Sequence, residues 1–224
     1  RSTLFPYTTL FRSPYRIEFG RRFATNGERW ASGLARAHAM QGRADLARAT
    51  LKRIEELPSQ NYGRSLTAMP GHLADAAWIE MISGDLDAAA KLIDRGRDVL
   101  DSSPARFDVE YVALALRAAE ISVRRADPDE ALRRADQALS HLRDKADRGG
   151  LPYVEGQVLK VRAEALLALG RTREALVELE ASVELMRRLH APDSPWLLDA
   201  LVLQSVAARQ LDDPGLYGDR KSVV

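Results

Sequence analysis

The sequence predicts an all-α protein, a solenoid of antiparallel helix pairs. Three observations carry that reading. Apolar residues recur at helical spacing from about residue 28 onward, in a composition dominated by Ala, Leu, Arg and Glu, all good helix formers. Turn signals fall at Gly42, Gly84, Ala126, Gly170 and Asp212, at intervals of 42, 42, 44 and 42 residues. Small residues keep fixed distances from those turns. Ala35, Ala77, Ala119, Ala163 and Ser205 lie seven before, and Ala47, Ala89, Ala131 and Ala175 lie five after.

The elements follow in order. A first helix is expected to start near Glu28, with Trp30, Leu34, Ala37 and Met40 as its stripe. Gln41-Gly42-Arg43 turns the chain into a second helix, with Leu46, Ala47, Leu51, Ile54 and Leu57 on one face, stopped by Pro58. Residues 58–68 read as a loop. Pro70 opens a third helix carrying Leu73, Ala77, Trp78, Met81 and Ile82, and Ser83-Gly84-Asp85 turns it into its partner. Ser103-Pro104 caps a helix through Phe107, Tyr111, Leu114, Ala118 and Val123. Asp127-Pro128-Asp129-Glu130 is a helix start, with a capping Asp, proline at the first position and an acid three after the cap. Residues 145–152 form a loop, and a helix through Val154, Val158, Val161 and Leu166 follows. At Gly170 the glycine suits a helix C-terminus, Thr172 is expected to cap the next helix, and Glu174 sits in its first turn. Pro192-Asp193-Ser194-Pro195 starts a last helix through Trp196, Leu197, Leu201, Val202 and Val206.

The two ends stand apart from this pattern. Residues 1–13 (RSTLFPYTTLFRS) and 219–224 (DRKSVV) resemble, codon by codon, a translated short-read sequencing adapter in the orientations that flank a library insert. The expectation is that both are adapter-derived, that residues 14–27 are the remnant of a preceding element, and that 28–218 are a helical repeat domain truncated at both ends. The chain has 33 basic and 32 acidic residues. Leaving out Arg1, Arg12, Arg220 and Lys221, with Asp219, turns the net charge from +1 to −2. No bulk electrostatic case for nucleic acid remains. Cysteine is absent, which excludes disulfides and thiolate metal sites. No run of about 18 apolar residues suggests a membrane span.

The fixed small residues have a physical cause. Antiparallel helices joined by a short turn approach to about 8–10 Å, and their nearest positions leave little room beyond a methyl group. Large apolar residues then fill the space between successive pairs, so pairs stack. Gly170-Arg171-Thr172-Arg173-Glu174-Ala175 and Gly84-Asp85-Leu86-Asp87-Ala88-Ala89 resemble the turn-and-alanine motif of the tetratricopeptide repeat (TPR) family. The period of about 42 is similar to the lengthened repeats of kinesin light chains and of bacterial signalling proteins. Ala191 to Leu197 resembles that subgroup's inter-repeat linker. The resemblance implies a right-handed α-α superhelix with no chemistry of its own, and a protein or peptide partner on its concave face. An alternative is a sensor segment of a multidomain serine/threonine kinase or winged-helix regulator. A cytoplasmic location is the matching expectation. The family's aromatic inside the first helix is replaced here by His38, Glu80, Ser122, Leu166 and Ala208.

In this register the concave face offers Arg29, Ser32, Arg36 and Met40, then Ala74, Trp78, Met81 and Ile82. Leu116, Glu120 and Arg124 follow, then Gln157, Lys160 and Glu164, then Asp199, Val202, Val206 and Arg209. Trp78 with Met81 suits an apolar anchor, or else packs between repeats. Arg29, Arg36, Arg124, Lys160 and Arg209 suit acidic partner groups, or else form a solvated face neutralised by Glu120, Glu164 and Asp199. The chaperone-tail carboxylate clamp lacks its asparagines. His38, His72, His141 and His190 form no HxxxH or HExxH spacing, and no GxSxG or glycine-rich phosphate loop occurs. No metal, cofactor or catalytic residue is expected.

Overall fold

The computed structural model describes residues 24–55, 70–102, 108–143, 152–190, 192 and 194–211. These residues form nine α-helices and no strand. They are α1 (Ala24–Met40), α2 (Ala44–Glu55), α3 (Pro70–Ile82), α4 (Leu86–Asp101), α5 (Asp108–Arg124), α6 (Pro128–Arg143), α7 (Pro152–Ala168), α8 (Thr172–Leu189) and α9 (Pro195–Gln210). The all-α expectation holds. Helix α1 starts at Ala24, four residues before the expected Glu28. The loop at 58–68, the expected loop at 145–152 apart from its last residue, the Ser103-Pro104 cap, the Asp212 turn and the terminal segments lie outside the described residues, and Pro152 opens α7 instead of closing the loop.

The four described turns share one design. Gly42, Gly84 and Gly170 take φ of 72°, 91° and 73°, and Ala126 takes 57°. At each, the residue after the turn donates its N–H five residues back: Arg43 to His38, Asp85 to Glu80, Asp127 to Ser122 and Arg171 to Leu166, at 2.9–3.0 Å. The turn residue bonds three residues back in all four cases. This is the Schellman closure, which satisfies the orphan carbonyls of a helix C-terminus. The residue donating the longer bond then begins the next helix. Its carbonyl accepts from Ala47, Ala89, Ala131 or Ala175 at 3.0–3.1 Å. One residue therefore ends one helix and starts its partner, which leaves no slack in the hairpin.

Ala126 does with a Cβ what the three glycines do without one. The left-handed region costs an L-residue roughly 1–2 kcal/mol. Glycine avoids that but loses more chain entropy, roughly 0.5–1 kcal/mol. Ala126→Gly is therefore expected to stabilise the chain by up to about 1 kcal/mol. Urea unfolding checks it; a midpoint that falls rejects the strain argument.

Caps differ between pairs. Asp85 accepts from the Ala88 N–H at 2.8 Å, and Asp127 from Glu130 at 3.2 Å. The expected Thr172 cap is a correction. Arg171 holds the cap position of α8 without a side-chain cap bond. Thr172 is already helical, and its hydroxyl meets the Gln210 amide oxygen of α9 at 3.1 Å. The tight Schellman turn places Thr172 one residue too late to cap.

The pairs α1–α2, α3–α4, α5–α6 and α7–α8 each pack along their length, and each second helix rests on the first helix of the next pair. First helices also pack on one another in sequence, α1 on α3, α3 on α5, α5 on α7 and α7 on α9. Second helices depend on the intervening first helix for their neighbours. The first helices therefore form the inner row of a curved stack and the second helices the outer row. Ala35, Ala77, Ala119 and Ala163 on the inner row, and Ala47, Ala89, Ala131 and Ala175 on the outer, are all at 0% exposure. At the offset twelve after the turn, a Cβ on Gly96 would come within 2.6 Å of the Leu114 side chain. The Ser182 hydroxyl, at the same offset, donates to the Gly156 carbonyl at 2.7 Å.

Polar ties mark each step between pairs. Arg48 of α2 grips Glu80 of α3 through two bonds of 2.8 and 2.7 Å. Arg125 after α5 meets Asp87 of α4, and Arg162 of α7 meets Asp136 of α6. Exposed ion pairs of this kind contribute about 0–1 kcal/mol, so they fix register more than stability. Leu46, read as part of the α2 stripe, is an exception and is exposed. Its offset is occupied by Glu130 and Glu174 in later pairs, which places it on the outward face.

Candidate functional site

The inner row is apolar at α3 and charged further along. At α3, Trp78 and Met81 are 5% and 2% exposed, and Ala74 is buried as well. Trp78 stacks against Trp196 at the start of α9, with ring centroids 6.2 Å apart and planes tilted by 47°. The pair was a candidate anchor for a partner's apolar side chain. The structure packs it inside instead, because Trp196 reaches over it from a helix three pairs further along the stack.

The charged stretch spans α5, α7 and α9. The Arg117 guanidinium is held by the Glu120 carboxylate, one turn on in α5, and donates to the Gln157 amide oxygen of α7 at 3.4 Å. Their side chains are 6% and 14% exposed for Arg117 and Glu120. Lys160 reaches Glu164 at 3.3 Å and Asp199 of α9 at 3.9 Å. Gln157 is buried, and its Nε2 has no hydrogen-bond partner among the described residues. The set forms one polar run across three inner helices.

Burial holds the Glu164 carboxyl above the usual carboxylate range; Lys160 offsets this in part, while Glu120 and Asp199 add to it. A raised folded-state value means the unfolded chain ionises first as pH rises. The resulting penalty is absent below the ordinary carboxylate range and complete above the folded-state value. Glu164→Gln is thus expected to raise the melting midpoint at pH 7, with the gain vanishing as pH falls below about 4. Melts across that range check it. A variant less stable than the parent at pH 7 would show that Lys160 more than repays the desolvation.

The remaining candidates fall as follows. Arg36 of α1 donates to Asp75 of α3 at 3.0 Å, so its charge is engaged within the stack. Arg29 is on α1, with its side chain outside the described residues. Arg124 and Arg209 are exposed near the ends of α5 and α9. Met40, Ile82, Val202 and Val206 are exposed apolar members of the face. Leu116 is buried. Arg117 and Asp75 were absent from the sequence candidates. Arg117 carries a signal that points to it: a lone charge in the run Leu114-Ala115-Leu116-Arg117-Ala118-Ala119. Two open hollows lie away from this face, one between α8 and α9 beside Arg187 and Gln204, the other between α4 and α6 beside Arg97 and Arg134. Among the described residues no group of three or more His, Asp or Glu is placed to hold a metal ion, and no helix is long and apolar enough to cross a membrane.

Paired helices, a shared left-handed turn residue and alanine contacts at fixed offsets define an α-α solenoid of lengthened repeats. The fold is TPR-like. Solved structures of the nearly identical TPR-like repeats of a Podosopora anserina protein described as a kinesin light chain align with it. A single-substitution variant of that protein gives a TM-score of 0.58 and the unsubstituted protein 0.57, each at 16% identity over 87% of this chain and 93% of the other. No family model and no curated protein matches the sequence.

Proposed function

We propose that the chain is a protein-interaction scaffold that holds a peptide or protein along the inner face of its first helices, without chemistry of its own. The observation that carries this is the polar run from Arg117 to Asp199. Pair two places Ala74 and Trp78 at the offsets where pair four places Lys160 and Glu164. Packing alone is therefore met by apolar residues at those positions. Replacing half-buried ion pairs by apolar side chains is often neutral or stabilising, so charge retained there fits recognition better than folding. TPR-like architecture, which presents one helix row to a partner, supports the same reading.

The absence of native cysteine makes a direct test available. Peptides selected by display on the full chain are measured again after Val202→Cys, on the inner row, is modified with a bulky maleimide. Binding is expected to be lost there and kept when Val177→Cys, on the second helix α8, is modified in the same way. Both sites are exposed, at 55% and 64%. Loss only at residue 177 would move the binding face to the outer row.

A further inference from the structure

We propose that the polar run over α5, α7 and α9 is a seat for a basic side chain of the partner, an arginine or lysine whose charge enters beside Glu164 and Asp199. This rests on the inner-face reading and gives it a chemistry. Glu120 is committed to Arg117. Among the described ion pairs, Lys160 is the cation that meets both Glu164, at 3.3 Å, and Asp199, at 3.9 Å. The run thus sets three carboxylates against two cations, and the surplus negative charge lies on the α7–α9 side.

A second feature points the same way. Gln157 is 4% exposed; its amide oxygen is used by Arg117, and its Nε2 has no acceptor among the described residues. A buried amide donor calls for a carbonyl oxygen. Gln157, Lys160 and Glu164 lie at helical spacing of three, then four, so they share one face of α7. A basic residue in a peptide brings both complements at once: a main-chain carbonyl for Gln157 and a cationic donor for the carboxylates. Arginine fits best, because its fork meets carboxylates in two parallel bonds. A divalent cation fits poorly, since the Lys160 ammonium stands between the oxygens that would have to coordinate it. The desolvation of Glu164 is then an expense of the empty chain that a bound guanidinium relieves.

The test is fluorescence anisotropy with the full chain and four labelled peptide pools. The pools share randomised flanks and differ in a fixed central residue: arginine, citrulline, glutamate or leucine. Arginine and citrulline differ in charge and hardly in shape. The arginine pool is expected to bind about tenfold or more tightly than the citrulline pool. That advantage is expected to collapse in Glu164→Gln with Asp199→Asn, substitutions that keep side-chain volume. Added salt should weaken arginine binding alone. Equal binding of arginine and citrulline overturns the proposal, as does preference for glutamate. If either happens while the modified Val202→Cys chain still loses all binding, the inner-face reading survives and the basic-residue seat does not. If the modification has no effect on arginine binding, both fall.

Discussion

Arg117→Ala is expected to destabilise the chain by about 3–5 kcal/mol. The guanidinium is buried between two helices, contacts Glu120 in its own and reaches Gln157 in the next. Truncation leaves the Glu120 carboxylate, 14% exposed, without its counter-charge. It also removes the only partner of the Gln157 amide oxygen among the described contacts. The informative comparison is Arg117→Met with Glu120→Leu. Removing both charges and keeping the volume is expected to restore most of the loss, because a well-packed apolar pair replaces the ion pair without a desolvation term. Denaturant unfolding of the three chains decides it. A double variant as unstable as the single one would mean that the pair itself, and not the stranded charge, stabilises this part of the stack. That outcome would also weaken the case that the charge is there for a partner.

Ala175→Leu is expected to destabilise by roughly 1–3 kcal/mol through overpacking. Ala175 is at 0% exposure in a cluster with Ala163, Leu166, Leu179 and Ala207. It is the residue whose N–H closes the first bond of α8 onto Arg171. Three added carbons must displace the packed neighbours of a fully buried methyl group, and the two-residue turn next door cannot lengthen to let the helices part. The neighbouring Val177, at 64% exposure, supplies the control. Val177→Leu adds volume two residues away and is expected to shift the midpoint little. Equal midpoints for Ala175→Leu and the parent would break the link between the alanine offsets and close helix contact.

Much of this fold is legible in the sequence because the repeat is local. The turn residues announce themselves through glycine, and Ala126 is recognisable only by its spacing from Gly84 and Gly170. The structure gives it the same left-handed conformation. Local pattern also has limits. Thr172 looks like a cap, but whether it lies before or inside α8 depends on one residue of turn geometry. Leu46 looks like core, but its outward direction follows only from comparison with Glu130 and Glu174. The site was harder to read. Lys160 and Glu164 follow from the register, whereas Arg117 lies one residue past Leu116 on the same turn and is drawn in by Gln157 of another helix. Trp78 was on the expected face, yet its cover arrives from Trp196, 118 positions later in the chain. No periodicity of about 42 residues encodes a contact that skips two periods.

That contact changes how the stack should come apart. A solenoid built only from adjoining units unfolds like a zipper, each unit answering to its immediate neighbours, and its stability is a sum of unit and boundary contributions. The indole of Trp196 resting on that of Trp78 ties the last helix to the second pair and closes a loop around the two pairs between them. Fraying at α9 then strips cover from α3, so protection from hydrogen exchange at the two ends of that loop should be lost together, before the helices enclosed by it.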